Sequence, residues 1–583
     1  MKLIEKLNIL VTKKEKRKGL LLTLLLLLGM IFEVIGIGLL LPILTAILNP
    51  EILFENQIIK DVFYFFDIIE PDQIVSAALI TLLFVYTIKS AYLLYLSHYQ
   101  NRFISRLSAE LSNRLFKNYL FQSYTFHLKR NSSELIKNFQ VEITYFTNFL
   151  ISTILLITEV TLALSVVSTL FLIEPLGTLI VLIFFGVASL LFYNFTKKKI
   201  SKWGSVREQI DSNISKVVLE GFSGIKEVIL AGRQSYFFSQ IEENNSIKAS
   251  ISTKNLTLRQ VPRYYLELLS VFSLIGFIFI MVIQNRNIEN VIVTLGVFVA
   301  ATFRILPSIN RILSSLQNIK FYRASIDLLY TEFKSTNSIM ENYLIDEINQ
   351  ITPSEKISLN NLCFKFKETK KEILKNVNLD IKVGSTIGII GSSGAGKSTL
   401  INILVGLLKP DLGGVFVDNF AIQQNNLRKW QNSIGYVSQD VYLTDNSIVS
   451  NIAFGIEKEK IDFDLIDKVL NQAQLTDLIQ SLPNGYNTEV GERGVQLSGG
   501  QQQRIGIARA LYKKPEVLVL DEATSALDTG TEHEIMSSVD LLKGKKTIII
   551  VTHRIITLKN CDQIYKLEQG KLNLEKKQVN IHQ

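Results

Sequence analysis

Long apolar stretches fill much of the first 330 residues, and they constrain the fold of this 583-residue chain more than any other feature. Windows such as 19–48 and 151–173 hold about 20 or more mostly apolar residues, enough for a helix to cross a bilayer. Apolar residues make up 48% of the chain and charged residues 20%, unlike an average soluble protein. We therefore expect a membrane-embedded half with six spans, at roughly 19–48, 74–98, 145–172, 176–196, 264–283 and 291–316.

Basic residues outside the expected spans are unevenly distributed. Residues 1–18 carry seven Lys and Arg, residues 99–130 carry six and residues 197–259 carry eleven, whereas the opposite loops hold Lys60 and Arg286. Because positively charged loops stay cytoplasmic during insertion, both termini are expected in the cytoplasm. These loops can meet anionic membrane lipids and account for much of the net charge of +9, so the basic balance does not indicate a nucleic-acid partner.

A glycine-rich turn follows a short apolar run in the second half of the chain. Residues 385–390 form a short apolar run with β-branched residues, and residues 399–404 have helical character, which is the strand, loop and helix context of a phosphate-binding loop. Backbone amides and the helix N-terminus can surround phosphates, Lys397 adds a positive charge, and the Ser398 hydroxyl can ligate Mg²⁺. The loop comprises Gly391, Ser392, Ser393, Gly394, Ala395, Gly396, Lys397, Ser398 and Thr399.

Two later strand-like runs end in polar residues. The run 517–520 is followed by Asp521 and Glu522, and the run 546–552 is followed by His553. At the carboxyl edge of a parallel sheet, Asp521 would approach the metal and Glu522 could orient the attacking water. The alternative for Glu522 is a solvated residue at a strand end. His553, which could reach the γ-phosphate from a neighbouring strand, favours the catalytic interpretation.

A second motif suited to an anion lies before the acidic strand. Leu497, Ser498, Gly499, Gly500 and Gln501 lead into a helix expected at 502–511, so they would present a helix N-terminus with exposed amides. A single nucleotide site within one monomer would not need this second phosphate-binding element.

The order of these motifs resembles that of the ATP-binding cassette (ABC) transporters. It runs from the phosphate loop through Gln439 in Tyr-Val-Ser-Gln and the Leu-Ser-Gly-Gly-Gln signature to Asp521-Glu522, Ser525–Asp528 and His553. The resemblance covers residues 357–570. It implies that two cassettes pack head to tail, with each ATP between the phosphate loop of one chain and Ser498–Gln501 of the other.

The resemblance also implies roles for individual residues. The catalytic positions correspond to Glu522, His553 and Gln439, and the Mg²⁺ ligands to Ser398, Gln439 and Asp521. Asp528 matches the loop that communicates across the interface. Phe366 stands where the family usually has an aromatic residue that stacks on adenine, and a plain core residue is the alternative.

These observations predict a two-domain membrane protein. Residues 1–330 would form an all-α transmembrane domain with six spans and long cytoplasmic helical extensions, 331–356 a polar linker, and 357–583 an α/β P-loop NTPase domain. One membrane half and one cassette make a half-transporter, and no internal repeat supplies the other half, so a dimer is implied. A homodimer needs no further partner because none of the motifs is degenerate, while a heterodimer stays open.

The type of transporter can be narrowed by resemblance. Six spans ahead of the cassette, and Gly491–Gly494 just before the signature, resemble the exporter type. In that type, helices here at about 120–130 and 215–230 dock on the cassettes.

Charged residues in or beside the spans are the candidates for recognising cargo, since charge is costly in lipid and usually faces a cavity. Arg304 and Arg311 are two turns apart on one helix face, and cations there suit a phosphate or pyrophosphate group. The alternative is that the cations extend to the interface or pair with Glu33 and Glu159. The candidate cations are Lys89, Arg263, Arg304 and Arg311.

Short stretches of the membrane half resemble the bacterial flippases of lipid-linked oligosaccharides. They are Val261–Glu267, Phe303–Arg311 and Glu33 ahead of Leu41-Pro42. The resemblance implies a polyprenyl-pyrophosphate glycan as cargo, moved across the bacterial cytoplasmic (inner) membrane. Lys89 stands where that subgroup tends to have arginine, so the charge is kept but bidentate phosphate contact is lost.

Other functions and one further segment stay open at this point. The alternative to a glycolipid flippase is an exporter that uses the same ATPase cassette to move drugs, peptides or other lipids. The apolar spans argue against a soluble cassette ATPase. Residues 50–72 could form an interfacial helix that touches a polyprenyl tail, or a loop that caps the spans.

Overall fold

The computed structural model describes residues 3–39, 71–173, 175–283, 288–336, 350–366, 371–523 and 529–575. The chain divides into two compact units. One comprises Met1–Gln122 and Lys129–Ile339, and the other comprises Ser123–Leu128 and Met340–Gln583. Nearly all of the expected interfacial helix at 50–72 lies outside the described residues.

The first unit is built from helices, as its apolar runs predict, because a helix satisfies its own backbone hydrogen bonds in lipid. The helices of the described chain up to residue 336 are α1 (Leu3–Leu10), α2 (Lys13–Gly38), α3 (Pro71–Leu120), α4 (Tyr124–Lys129), α5 (Ser132–Lys137), α6 (Ile143–Ile173), α7 (Pro175–Ser223), α8 (Ile225–Leu230), α9 (Gln234–Ile283), α10 (Ile288–Phe321) and α11 (Arg323–Thr336). A π-helical turn, Asn138–Glu142, joins α5 to α6.

Three helices among the described residues are long and apolar enough to cross a membrane. They cover Lys13–Gly36, Val75–Leu120 and Ser132–Thr169. The other three expected spans fall within α7, α9 and α10, and as spans they remain predictions. Helices α3, α7 and α9 are 50, 49 and 50 residues long, about 75 Å each, so they extend well beyond a hydrocarbon core of about 30 Å.

Two contacts show how the membrane helices pack. Helix α2 lies close to α3 at Gly29, where an added Cβ would be 3.4 Å from the Leu96 side chain. Phe185, Leu266 and Leu313, all buried, join α7, α9 and α10 in one apolar cluster. The charged side chains of this half are therefore held on helices that are packed against one another.

The second unit contains an α/β cassette with two sheets. The strands are β1 (Lys356–Phe364), β2 (Leu374–Lys382), β3 (Thr386–Ile390), β4 (Leu412–Val417), β5 (Phe420–Ala421), β6 (Ile434–Val437), β7 (Val517–Asp521), β8 (Thr547–Val551), β9 (Gln563–Glu568) and β10 (Lys571–Glu575). The helices are α12 (Lys397–Leu404), α13 (Leu427–Asn432), α14 (Ile448–Ile452), α15 (Phe463–Gln472), α16 (Thr476–Ser481), α17 (Gly499–Tyr512) and α18 (Thr529–Asp540).

The six-stranded sheet of the cassette positions the site. Its order is β10-β9-β3-β8-β7-β6, and every neighbouring pair is parallel except β10 with β9. All five residues of β7 and of β8 are buried, which explains why both strands read as continuous apolar runs. In the register of these strands Asp521 lies opposite Val551, so the residues that follow β3, β8, β7 and β6 meet at one edge.

The smaller sheet is antiparallel, in the order β2-β1-β4-β5. It shares an apolar core with β3, α12 and the buried Trp430, whose indole N–H donates to the Leu404 carbonyl oxygen at 2.7 Å. This core lies directly behind the glycine-rich turn and holds its supporting strand and helix together.

The short segment Ser123–Leu128, which contains most of α4, is assigned to the second unit, whereas the residues on either side of it belong to the first. The docking of helices at about 120–130 and 215–230 on the cassettes stays a prediction. The other expected docking segment, 215–230, groups with the membrane half of its own chain.

Candidate functional site

The glycine-rich turn joins β3 to the N-terminus of α12, as its strand, loop and helix pattern predicts. Gly394 and Gly396 have φ values of +78° and +105°, which residues with a Cβ rarely adopt. An added Cβ at Gly391 would lie 2.5 Å from the Leu567 carbonyl oxygen, so this position also needs glycine. The turn therefore exposes backbone amides at a helix N-terminus, the arrangement that binds phosphate.

Lys397 is the charged member of this loop. Its buried ammonium group donates to the carbonyl oxygens of Gly391 at 2.8 Å and Ser392 at 3.2 Å. The same Nζ atom lies 3.6 Å from Oε1 of Glu522. The loop thus keeps a positive charge where the phosphates of a nucleotide would lie.

Glu522 and His553 come together at the edge that the parallel strands create. The Glu522 backbone N–H donates to the Val551 carbonyl oxygen at 2.8 Å, which ties the end of β7 to β8. His553, two residues beyond Val551, has Nδ1 4.0 Å from Oε2 of Glu522. Lys397, Glu522 and His553 therefore form one cluster, although they lie up to 156 positions apart in the chain.

Asp521 lies one residue earlier and is 8% exposed. Burial raises the pKa of its carboxyl group, and the negative charge of Glu522 acts in the same direction. A hydrogen bond from the Tyr436 hydroxyl to Oδ2 of Asp521, at 3.1 Å, acts in the opposite direction. Tyr436 was not among the site residues predicted from the sequence, although it stands three positions before Gln439 on the strand next to β7.

Gln439 follows β6 at the same edge, and its side chain is exposed. Its backbone carbonyl oxygen accepts a hydrogen bond from the Gln503 side chain at 2.6 Å, which fixes the main chain at this point. The side chains of Ser398, Gln439 and Asp521 all carry oxygen donors, the ligand type that Mg²⁺ prefers, and a magnesium ion fits this set.

The signature residues form the N-terminus of α17. This helix begins at Gly499, three residues before the start expected at Gln502. The reason is a capping box: Oγ of Ser498 accepts from the Gln501 backbone N–H at 3.3 Å, and Oε1 of Gln501 accepts from the Ser498 backbone N–H at 2.9 Å. Ser498 is thus the N-cap, Gly499 and Gly500 are helical, and the motif presents a helix N-terminus to solvent.

Two predicted nucleotide contacts have less defined positions. Phe366 is half-buried, packs edge-on against Phe364 with ring centroids 5.1 Å apart, and lies against the cassette core. This environment suits both an adenine platform at the core's edge and a plain core residue. Asp528, like the rest of 524–528, lies outside the described residues.

The candidate cations of the membrane half have acidic neighbours. Lys89 is buried, with Nζ 2.9 Å from Glu33, and Arg311 has an Nη atom 2.7 Å from Glu159. Arg263 pairs with Glu267 on the same helix at 3.1 Å. These pairs include the Glu33 and Glu159 partnerships that the sequence left open. The Arg304 side chain lies outside the described part of the structure.

The three paired cations differ in how far they reach solvent or lipid. The side chains of Arg263 and Arg311 are 67% and 54% exposed, whereas Lys89 is 10% exposed and lies 4.8 Å from the Tyr86 ring centroid. Arg263 and Arg311 are therefore exposed on the single chain, although each pairs with a carboxylate. The Lys89 ammonium, by contrast, is buried between the Glu33 carboxylate and the Tyr86 ring.

The fold and the cassette site together define a membrane protein that binds ATP. A family model described as ABC transporter matches residues 374–525, and another described as ABC transporter transmembrane region matches residues 19–305. The chain belongs to the ABC transporters, the class that couples ATP hydrolysis to movement across a membrane. The expected fold class is confirmed, with a helical membrane domain ahead of an ABC ATPase domain.

Several similar proteins are named ATP-dependent lipid A-core flippase. The one from Cupriavidus pinatubonensis is 37% identical over 210 residues, 36% of each chain. The one from Chromohalobacter salexigens is 31% identical over 402 residues, 68% of this chain and 67% of the relative, and that from Nitrosococcus oceani is 27% identical over 470 residues, 80% and 77%. The first of these matches spans about a third of the relative's own length.

A solved structure described as a bacterial Atm1-family ABC exporter with ATP bound has the same fold. Its TM-score is 0.75 at 23% sequence identity, and the match covers 96% of this chain and 94% of the other.

Proposed function

We propose that this protein is an ATP-driven exporter-type flippase that moves a lipid-linked oligosaccharide, a polyprenyl-pyrophosphate glycan, across the bacterial cytoplasmic membrane. The observation that carries the cargo assignment is Arg311: a half-exposed guanidinium on α10 whose partner, Glu159, is 2% exposed. A charge at such a position is costly unless it serves binding, and a guanidinium matches phosphate oxygens in two-point contact. The lipid cargo in the relatives' names supports a lipid substrate.

The cassette would perform the hydrolysis. The phosphate loop, from Gly391 to Thr399, would bind the phosphates through its backbone amides, and Lys397 would move from its carbonyl partners to the phosphate oxygens. Glu522 would accept a hydrogen bond from the attacking water and orient it, and His553 would contact the γ-phosphate from the next strand. Gln439, which follows β6 at the same edge, would complete the catalytic set.

Ser398, Gln439 and Asp521 would hold Mg²⁺, which neutralises charge that develops on the phosphates. Asp521 suits this role because its carboxylate is buried at the sheet edge and fixed by a hydrogen bond. Phe366 would stack on adenine. Asp528 would lie in the loop between the two sites.

We propose a homodimer with two composite ATP sites. Ser498–Gln501 would bind the phosphates held by the other chain, because the capping box presents this helix N-terminus to solvent. The clustering of basic residues at 1–18, 99–130 and 197–259 supports a cytoplasmic location for both termini. The same membrane side would hold the cassettes and the ATP.

The cargo proposal is tested in vesicles that contain the purified protein. A fluorescent polyprenyl-pyrophosphate glycan should become inaccessible to an external quencher when ATP and Mg²⁺ are added, and a neutral drug or a peptide should not be moved. Transport of the drug or peptide without transport of the glycolipid would contradict the proposal. Transport of lipid A-core but not of the polyprenyl glycan would support a lipid flippase and contradict the assigned headgroup.

A matched variant tests the role of Arg311. In the double variant Glu159→Gln/Arg311→Gln, two amides replace the ion pair, so the contact between α6 and α10 can persist without a buried unpaired charge. We expect glycolipid-stimulated transport to fall at least about tenfold, as for loss of a charge-assisted contact, while basal ATPase stays near the wild-type rate. Equal loss of both activities would indicate a structural pair.

A further inference from the structure

Tyr436 contacts the predicted catalytic edge, and although it opens the Tyr-Val-Ser-Gln motif, the sequence assigned it no role. It lies on β6, where its backbone pairs with Val519 of β7, and its hydroxyl donates to Oδ2 of Asp521 at 3.1 Å. The donor and acceptor are 85 positions apart in the sequence. The contact exists because β6 and β7 are parallel neighbours, and Asp521 ends its strand just beyond the Tyr436 ring.

The Asp521 carboxylate needs such a partner. It is nearly inaccessible to solvent, so it has lost much of its contact with water. The hydrogen bond from Tyr436 replaces part of that hydration and engages one oxygen.

When a carboxylate binds a metal through one oxygen, its orientation depends on the hydrogen-bond partner of the other oxygen. A donor on Oδ2 restricts rotation about the Cβ–Cγ bond and leaves Oδ1 in a fixed direction. Groups that orient metal ligands in this way typically change metal affinity by about 10- to 100-fold when they are removed. Tyr436 is 36% exposed, so it is not a fully buried core residue.

We propose that Tyr436 is a positioning residue for the Mg²⁺ site: its hydroxyl orients the Asp521 carboxylate so that the remaining oxygen serves Mg²⁺ bound with ATP. This inference rests on the proposed role of Asp521 as a Mg²⁺ ligand. Tyr436 itself touches neither the nucleotide nor the metal in this assignment.

The test is nucleotide binding, with and without the metal. Full-length Tyr436→Phe protein lacks one oxygen atom, and its affinity for a non-hydrolysable ATP analogue is measured by calorimetry in Mg²⁺ and in EDTA. We expect the affinity in Mg²⁺ to fall about tenfold, the lower end of the range for such partners, and the affinity in EDTA to stay within about twofold of wild type. The matched control is Tyr442→Phe, which removes the hydroxyl of an exposed tyrosine in the loop after β6.

Each outcome distinguishes the explanations. Unchanged affinity in Mg²⁺ would overturn the inference, and so would an equal loss in Mg²⁺ and EDTA, which is the mark of a merely structural tyrosine. Asp521→Asn separates this inference from the proposed function. If Asp521→Asn loses the Mg²⁺-dependent part of the affinity and Tyr436→Phe does not, only the role of Tyr436 fails; if neither loses it, the assignment of Asp521 as a Mg²⁺ ligand fails.

Discussion

Glu522 adopts a backbone conformation that few residues with a side chain adopt. Its φ is 48°, in the left-handed region, and the conformation is held by the hydrogen bond from its N–H to the Val551 carbonyl oxygen. Strain of this kind persists where the surrounding structure determines the backbone strongly, which is common at functional sites. The sheet edge thereby directs the Glu522 carboxylate between the Lys397 ammonium and the His553 ring.

Replacing Glu522 by Gln should separate ATP binding from hydrolysis. The amide keeps the shape of the side chain but loses the negative charge, so the attacking water is no longer polarised. We expect ATPase to fall about 10²- to 10⁴-fold, the usual contribution of a general base, with ATP affinity equal to wild type or higher because Lys397 loses a competing anion. The measurements are steady-state ATPase and equilibrium ATP binding.

The control is Glu516→Gln, which removes a carboxylate near the other end of β7, 3.8 Å from the Lys546 ammonium. It should leave ATPase near wild type. Wild-type turnover by the Glu522→Gln protein would remove Glu522 from the catalytic set.

Some residues of the site could be predicted from the sequence and others could not, for physical reasons. Asp521, Glu522 and His553 follow continuous apolar runs, and parallel strands bring their carboxyl ends to one edge. Tyr436 was missed because its partner depends on which strand lies beside β7. The Lys89–Glu33 and Arg311–Glu159 pairs stayed open because apolar periodicity does not reveal which membrane helices are neighbours.

At the scale of secondary structure, Asp418 fastens the start of β1 to the turn between β4 and β5. Its carboxylate accepts from the backbone N–H groups of Ser354, Glu355 and Lys356 at 2.6, 2.7 and 2.9 Å, and from the Ser354 hydroxyl at 2.9 Å. Burial opposes ionisation, but these donors outweigh it and lower the pKa of Asp418 to about 2. These hydrogen bonds, called the Asp418 clamp below, fix the backbone of residues 354–356 where the cassette begins.

Replacing Asp418 by Asn should destabilise the cassette in a pH-dependent way. Because the folded-state pKa lies below the unfolded one, the stabilisation is complete above pH about 4 and is lost as the pH falls toward 2. We expect a cost of about 1 kcal/mol at pH 7, reduced by the exposure of the site to solvent, and a smaller difference at pH 3. Fluorescence of the buried Trp430, in a Trp203→Phe background, reports cassette unfolding.

Asp445→Asn, at an exposed aspartate of the same cassette, is the control and should unfold like the parent protein at both pH values. A difference between Asp418→Asn and the parent that stays constant from pH 7 to pH 3 would show that the carboxylate charge is not what stabilises the clamp.

Helix α17 shows why element boundaries are harder to predict than elements. The helix was expected at 502–511, after Gly499 and Gly500, and glycine has a low helix propensity. The reciprocal hydrogen bonds of Ser498 and Gln501 outweigh that preference and extend the helix to the signature glycines. The motif that would meet the phosphates is therefore more rigid than a loop.

On the scale of the whole molecule, the chain carries one transmembrane region, matched over residues 19–305, and one cassette, matched over 374–525. The two elements proposed to bind phosphate lie at the N-termini of different helices, α12 and α17. In a head-to-tail dimer each ATP site takes α12 from one chain and α17 from the other. In the alternative arrangement, each cassette completes its own ATP site, so both elements of a site come from the same chain. The two arrangements predict different ATP binding and ATPase in mixed dimers.

Two variants decide between these arrangements, because one changes the phosphate loop and the other changes the signature. Lys397→Ala removes the charge from the phosphate loop. Gly499→Glu adds a carboxylate at the signature, where an added Cβ meets nothing within 4 Å, so the cassette itself can accommodate the change while phosphate is repelled. Two affinity tags allow each mixed dimer to be purified, and bound nucleotide and ATPase are then measured.

A dimer of one Lys397→Ala chain and one Gly499→Glu chain should keep one intact composite site, because both lesions fall in the same site. It should bind about one ATP per dimer and retain up to about half of the wild-type ATPase, as one of two sites would. A dimer of one doubly substituted chain and one wild-type chain should have a lesion in both sites and fall to background. Sites confined to single chains predict the reverse pattern, since the wild-type chain would then keep its own site intact and the singly substituted chains would not.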